Sequence, residues 1–276
     1  MSVGRMYSSR DCPLPTRSTQ AGIAIKPGSA LLVVCLYIAP LLAGATFAGD
    51  DLSTESLRLE ATPDQLIGEQ EAARLEHILD PGEPLSWEAY LPHNDSAESP
   101  GALVYVSPRA EGKIDQRWKS VMDSHNLIYI AANDSGNKIP TVKRMLMATM
   151  AIRALAQNHA FNIERVYVSG FSGGGRVASR LASHYPEVFT GAIYICGVDF
   201  WKEKQTPKVD RLLQNRFVFL TGSKDFNRSE TSRIYRKYLK AGATHSEFMV
   251  IPGMRHELPG SADLAKALRF LDGTEQ

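Results

Sequence analysis

The stretch that decides the fold runs from residue 166 to residue 180 and reads Val166-Tyr-Val-Ser-Gly170-Phe-Ser172-Gly173-Gly174-Gly175-Arg-Val-Ala-Ser-Arg180. An apolar, β-rich run leads into the pattern Gly-x-Ser-x-Gly, and a helix-forming run follows at once. This arrangement is typical of a nucleophile elbow, a strained turn in which larger residues at the glycine positions would collide. The pattern predicts that Ser172 is a nucleophile and that the Gly173 N–H faces a developing oxyanion. A glycine-rich turn that only packs a helix on a strand is the alternative.

The rest of the chain alternates apolar runs with helical stretches. The predicted strands cover residues 85–91, 102–106, 127–132, 165–169, 191–196, 217–221 and 246–251. The predicted helices cover residues 142–159, 174–185, 228–240 and 261–271, with a short helix around 65–79. Several strands are almost continuously apolar, as parallel strands covered on both faces require. We therefore predict one α/β domain with a mostly parallel sheet between helices, in which the first two predicted strands form an antiparallel edge hairpin.

A serine nucleophile needs a base, and the base needs an acid to hold it. Asp225 follows the predicted strand at 217–221, and His256 follows the last predicted strand. Both lie beyond the carboxyl ends of strands, where open α/β sheets build their sites. The predicted catalytic residues are therefore Ser172, Asp225 and His256. Asp199 is a competing acid, and Asp225 has an alternative role as a helix cap.

With these residues in this order, the chain resembles the α/β-hydrolases over about residues 85–272. The elbow and the stretch Pro252-Gly-Met-Arg-His256-Glu-Leu-Pro259 are most similar to the secreted polyhydroxybutyrate depolymerase and feruloyl-esterase-like group. The resemblance implies an α/β-hydrolase domain that hydrolyses carboxylic esters through an acyl-serine intermediate. It also implies a small-molecule or polymeric ester as the substrate.

The segment after the strand at 102–106 departs from that family. The family usually carries His-Gly or a glycine run there, whose backbone supplies the second oxyanion donor. Here the segment reads Ser107-Pro108-Arg109, and proline has no N–H to donate. We expect the Arg109 N–H to be the second donor, with Ser107 as the alternative. A catalytically weak or inactive binding protein and a serine peptidase of the same fold remain alternative functions.

The predicted cap over the site is minimal. Only residues 198–216 lie between the predicted strands at 191–196 and 217–221, which leaves little room for a separate lid. Phe171, next to the nucleophile, and Trp201, in this insertion, are the predicted substrate-binding residues, although each side chain could equally belong to the core.

The N-terminal segment has the pattern of an export signal. Four basic residues and one acidic residue precede residue 29, and residues 29–48 are uncharged and end in small side chains. We predict a signal peptide over residues 1–48, a lead-in segment over 49–84 and an α/β-hydrolase domain over 85–276, with export to the periplasm or medium. An uncleaved membrane anchor at 1–48 is the alternative.

Composition excludes several other classes of protein. The 276 residues are 43% hydrophobic with a net charge of +1, which gives no reason to expect a nucleic-acid partner. Two of the three cysteines fall within residues 1–48, so a mature chain would hold Cys196 alone and no internal disulfide. No metal-binding or nucleotide-binding motif occurs, so we predict no metal and no cofactor. The sequence leaves the oligomeric state open.

Overall fold

A central sheet of eight strands organises the computed structural model, which describes residues 56–93, 96–201 and 208–274. The strands are β1 (Ser56–Ala61), β2 (Leu85–Tyr90), β3 (Gly101–Val106), β4 (Leu127–Ala132), β5 (Val166–Phe171), β6 (Gly191–Ile195), β7 (Arg216–Gly222) and β8 (Ser246–Ile251). Their spatial order is β1-β2-β4-β3-β5-β6-β7-β8. The six strands from β4 to β8 pair in parallel, and β1 and β2 pair antiparallel. The prediction of a mostly parallel sheet between helices is confirmed.

Helices pack on both faces of this sheet. They are α1 (Pro63–Ile67), α2 (Glu69–Arg74), α3 (Lys119–His125), α4 (Thr141–Ala156), α5 (Gly173–His184), α6 (Val209–Gln214), α7 (Arg228–Lys240) and α8 (Ser261–Asp272). One apolar core holds α4, α5 and α7 against one face, and a second core holds α3 and α8 against the other. Along β3, Val104 belongs to the first core and Leu103 and Tyr105 to the second. A strand that feeds two cores must be apolar on both faces, which explains its continuous apolar sequence.

The antiparallel edge differs from the prediction. β2 pairs with β1 and β4, and β4 lies between β2 and β3, so the hairpin predicted for the first two strands is wrong. The fully buried β3 has a parallel partner on each side instead. The ten residues from 91 to 100 are enough to pass one intervening strand, because neighbouring strands lie only about 4.8 Å apart.

The segment before β2 also differs from the prediction. Residues 56–61, which fall in the predicted lead-in, form β1 and extend the sheet. The helix predicted around 65–79 is replaced by α1 and α2, which are separated at Gly68 with φ +80°. The predicted signal segment 1–48 lies outside the described residues. Within the described part of the chain, no helix is both long and apolar enough to cross a membrane.

Candidate active site

Ser172 occupies the sharp turn between β5 and α5. Its backbone has φ +55° and ψ −117°, a conformation that costs a non-glycine residue free energy. A Cβ on Gly174 would overlap the Val106 carbonyl, and a Cβ on Gly170 would overlap the backbone of Gly174. Gly174 therefore lets the turn approach β3 closely, and Gly170 lets the end of β5 pack against the start of α5. As the first residue of α5, Gly173 has an N–H without an intrahelical acceptor.

Three predicted catalytic residues meet beside this turn. His256 Nε2 lies 2.9 Å from Ser172 Oγ, and His256 Nδ1 lies 2.8 Å from Asp225 Oδ1. The Asp225 side chain is fully buried, and the His256 side chain is 20% exposed. The competing acid Asp199 is engaged elsewhere, in ion pairs with Arg176 at 3.0 Å and Arg180 at 2.8 Å. The structure thus brings Asp225, not Asp199, to the histidine.

The surroundings of Asp225 favour its ionised form. Burial alone would raise the pKa of Asp225, but hydrogen bonds from the Asn227 N–H, the Thr221 hydroxyl, the Cys196 thiol and His256 lower it below its usual value. The Thr221 Oγ1 to Asp225 Oδ2 distance is 2.7 Å, and the Asn227 N to Asp225 Oδ1 distance is 3.0 Å. A carboxylate held in this way fixes the orientation of the imidazole and stabilises its protonated form.

Cys196 completes a cluster that has the residue types of a metal site. Among the described residues, the ligand atoms of Cys196, Asp225 and His256 lie within 4.8 Å of one another. Burial raises the pKa of the Cys196 thiol to about 12, so the thiol stays protonated. His256 Nδ1 is already hydrogen-bonded to Asp225. Hydrogen bonds from Cys196 and His256 to Asp225 account for this cluster.

The segment after β3 lies beside the elbow, because β3 is the parallel neighbour of β5. The sequence placed the Arg109 N–H in the oxyanion hole, but the structure directs this N–H to Ser107 Oγ, at 3.0 Å. The reason is local: a serine two residues before an N–H readily closes a turn with it. Ser107 is 5% exposed, and its hydroxyl oxygen is the acceptor, so the hydroxyl hydrogen is left to donate elsewhere.

Hydrogen bonds fix this segment to the loop that follows β4. The Asn137 N–H donates to the Pro108 carbonyl at 3.0 Å, and the Asp134 N–H donates to the Ala110 carbonyl at 2.7 Å. The Gly112 N–H donates to Asn133 Oδ1 at 2.9 Å. The wall of the site beside Ser172 is therefore built by two loops that hold each other in place.

A cavity of about 580 Å³ opens beside the imidazole of His256. It is lined by Tyr105, Ser107, Pro108, Arg109, Glu111, Lys113, Ile114, Asp115, Arg117, Trp118, Tyr129, Phe171, His256, Glu257 and Leu258. Phe171, one of the two predicted substrate-binding residues, is among these lining residues. Trp201 does not line this cavity: it is 6% exposed and packs on Tyr238, with 4.4 Å between the ring centroids. The sequence alone does not distinguish a tryptophan that lines a pocket from one that packs in the core. In this structure Trp201 belongs to the core.

Two aromatic residues of the site were not identified from the sequence. Phe226 directly follows the predicted acid, is 75% exposed and stacks on His256 with 4.1 Å between the ring centroids. Its place next to Asp225 was the available signal. Tyr105 is 6% exposed and lines the cavity, and its hydroxyl has no hydrogen-bond partner among the described residues. On an apolar strand such a tyrosine cannot be distinguished from a core residue by sequence.

Comparison with known proteins gives the fold a name. No protein-family model and no curated protein sequence matches the chain. Among solved structures, an alpha/beta hydrolase enzyme from the metagenome of Lake Arreo, Spain, matches with a TM-score of 0.51 at 15% identity, over 70% of this chain and 77% of that one. This chain has the α/β-hydrolase fold. A ferulic acid esterase matches this α/β-hydrolase fold with a TM-score of 0.56 at 15% identity, over 80% of this chain and 98% of that one.

A thermostable esterase shares the α/β-hydrolase fold with this chain as well. The TM-score is 0.55 at 14% identity, and the match covers 80% of this chain but 62% of that chain. At these identities the likeness extends to the fold, so the resemblance to the polyhydroxybutyrate depolymerase and feruloyl-esterase-like group stays a prediction. In this chain Ser172 follows β5, Asp225 follows β7 and His256 follows β8. This is the order along the chain, serine then acid then histidine, that is typical of the α/β-hydrolase fold.

Proposed function

We propose that this protein is a serine hydrolase that cleaves carboxylic esters through an acyl-serine intermediate. The observation that carries the proposal is the continuous chain of contacts from Asp225 Oδ1 through His256 to Ser172 Oγ, at 2.8 and 2.9 Å. A serine hydroxyl alone is a weak nucleophile, and these contacts supply both the base that activates it and the acid that orients the base.

The proposed reaction has two halves. Ser172 Oγ attacks the ester carbonyl while His256 Nε2 takes its proton, which gives a tetrahedral oxyanion. The oxyanion collapses, the alcohol leaves with the proton from His256, and the acyl group stays on Ser172. Water then attacks the acyl-serine with His256 as the base. The carboxylic acid departs, and the proton returns to Ser172.

Two groups are proposed to stabilise the oxyanion. The Gly173 N–H lies at the N-terminus of α5, where the helix dipole favours negative charge. The Ser107 hydroxyl is the second donor, because its oxygen already accepts the Arg109 N–H and its hydrogen is free to point into the cavity that Ser107 and His256 share. This assignment removes the difficulty that Pro108 has no N–H.

We further propose that the enzyme acts after export, on a small-molecule or polymeric ester. The basic segment followed by the uncharged residues 29–48 supports export, with an uncleaved anchor as the alternative. The cavity volume of about 580 Å³ suits one organic substituent of an ester, since ligand pockets span roughly 300–1,000 Å³.

A panel of p-nitrophenyl esters from acetyl to decanoyl, assayed with the wild type and Ser172→Ala, tests the proposal. We expect Ser172-dependent turnover and covalent labelling of Ser172 by a fluorophosphonate. Equal turnover by the two proteins, together with no labelling, would support the binding-protein alternative. Matched p-nitroanilides address the peptidase alternative, which requires amide hydrolysis at a rate comparable with that of the esters.

A further inference from the structure

Arg144 is a buried arginine without an acidic partner. It lies in the first turn of α4, is 4% exposed and forms no ion pair with any described residue. Burial lowers the pKa of its guanidinium to about 10, so the group keeps its positive charge at neutral pH. A buried unpaired charge destabilises a fold, and residues that carry such a penalty cluster at functional sites.

The guanidinium of Arg144 joins the two loops beside the elbow. Its Nη2 donates to the Ser107 carbonyl at 2.8 Å, on the loop after β3. Its Nε donates to the Ser135 carbonyl at 2.7 Å, and its Nη1 donates to Asn137 Oδ1 at 3.2 Å, both on the loop after β4. One planar cation therefore sets the distance between these loops.

Asn137 extends this connection to the elbow itself. Its N–H donates to the Pro108 carbonyl, and its side-chain amide packs against Gly173, where a Cβ would overlap Asn137 Oδ1. The Arg144 side chain thus contacts Ser107 directly and reaches Gly173 through one residue. Ser107 and Gly173 are the two oxyanion donors of the proposed function.

We propose that Arg144 is the positioning residue of the oxyanion hole, which holds the Ser107 hydroxyl and the Gly173 N–H at the spacing that the tetrahedral oxyanion needs. This inference rests on the proposed function. The buried positive charge of Arg144 also stabilises the oxyanion electrostatically, and it does so more strongly than a neutral side chain at the same position would. A charged side chain on α4 thereby supports the loop after β3, which the α/β-hydrolases that this chain resembles usually build from His-Gly or a glycine run.

The test compares Arg144→Gln and Arg144→Lys with Arg153→Gln in the full-length protein. Arg153 is a matched control, because it is a 7% exposed arginine of the same helix that binds the Leu66 carbonyl instead. We expect Arg144→Gln to lower kcat about 10²-fold with KM changed less than about threefold, since the loss falls on the transition state. Arg144→Lys should retain more activity than Arg144→Gln, and Arg153→Gln should keep the kcat of the wild type.

The inhibition constant of a trifluoromethyl ketone is a second measurement. A purely structural role of Arg144 would not change it selectively. Ser172 Oγ adds to the carbonyl carbon of the ketone, His256 takes the proton, and the resulting oxyanion occupies the hole. We expect its inhibition constant to rise in Arg144→Gln by the same factor by which kcat/KM falls, while the carboxylic acid product inhibits both proteins equally. Equal weakening of the ketone and the product would overturn the proposal, as would an unchanged kcat.

Chemical rescue keeps the inference testable if Arg144→Gln is poorly folded. In Arg144→Ala, millimolar guanidinium should restore turnover in a saturable manner, and urea, which is similar in shape but uncharged, should not. Rescue by neither compound in a folded Arg144→Ala protein would count against the proposal. Equal turnover by the wild type and Ser172→Ala would instead contradict the proposed function. A failure of the Arg144 proposal is therefore distinguishable from a failure of the proposed function.

Discussion

Phe226 stacks its ring on the imidazole of His256, with 4.1 Å between the centroids and 30° between the planes. Because 75% of Phe226 is exposed, much of its ring surface is open to solvent and to a bound molecule. In the proposed reaction His256 delivers its proton to the leaving alcohol, which places that alcohol beside the same imidazole. Phe226 is thereby placed to contact the alcohol part of an ester.

Phe226→Ala should therefore discriminate between esters by their alcohol. We expect kcat/KM for phenyl acetate to fall about tenfold more than kcat/KM for methyl acetate, because only the phenyl group loses apolar contact. Phe226→Leu is the matched control and should retain part of the preference. An equal loss for both esters would mean that Phe226 acts only by holding His256.

Asp225→Asn should lower kcat by about 10³- to 10⁴-fold, because an amide cannot hold the imidazole in the correct tautomer or stabilise its charge. Asp199→Asn is the matched control, since Asp199 pairs with Arg176 and Arg180 instead of His256. It should leave kcat within about threefold. Steady-state kinetics on one p-nitrophenyl ester suffice, and the reverse ranking would assign the acid to Asp199.

Tyr105→Phe should alter specificity without lowering stability. Burial raises the pKa of Tyr105 well above its usual value, so the hydroxyl stays protonated and can donate into the cavity. We expect kcat/KM to fall about tenfold for esters that carry a ketone or hydroxyl in the group that enters the cavity, and to stay unchanged for alkyl esters of the same size. Thermal unfolding should give a Tm no lower than that of the wild type, because no hydrogen bond among described residues is lost. A uniform fall across both ester series would contradict this role.

Asp272→Asn should destabilise the fold in a pH-dependent way. Asp272 binds Arg165 and Tyr167 at the start of β5, whereas Ser172 follows the other end of this strand. Burial alone would raise the pKa of Asp272, but hydrogen bonds from His125 and Tyr167 and the charge of Arg165 lower it. A carboxyl with a lowered folded-state pKa stabilises the protein above its unfolded pKa, about 3.9, and loses that effect as the pH falls through the folded-state value.

At pH 7 we expect Asp272→Asn to lower the free energy of unfolding by about 1–3 kcal/mol. Urea unfolding from pH 7 down to pH 3 should show the wild-type and variant values converging below about pH 4. Activity per folded molecule should not change. A difference that stays constant over the whole range would show that the Asp272 charge is not responsible.

Much of the fold and the three central residues could be predicted from the sequence, because each has a local signature. Ser172 lies in a glycine pattern between a strand and a helix, and Asp225 and His256 each follow an apolar strand. Parallel strands such as β3 and β4 are recognisable because burial on both faces makes them continuously apolar. These sequence patterns are local, so they can be recognised without knowing which residues lie nearby in the folded structure.

The remaining features depend on spatial neighbours and left no comparable signal. The position of β4 between β2 and β3 is a matter of pairing, which a pattern of apolar residues does not encode. The edge strand β1 is only partly buried, so Ser56–Ala61 lacks the apolar run of an inner strand. Arg144 lies in a helical stretch where an arginine is ordinarily solvated, but here it is buried and its guanidinium contacts the loops after β3 and β4. The turn that directs the Arg109 N–H to Ser107 is equally a matter of three-dimensional geometry.

The backbone of Ser172 bears on the evolution of this chain. At φ +55° a serine is strained, whereas glycine adopts this conformation with little penalty. In a related protein that kept this fold without any catalytic activity, Ser172→Gly would raise the free energy of unfolding by about 1 kcal/mol. Selection for folding alone would therefore replace this residue, so a serine at position 172 is what selection for reactivity would preserve.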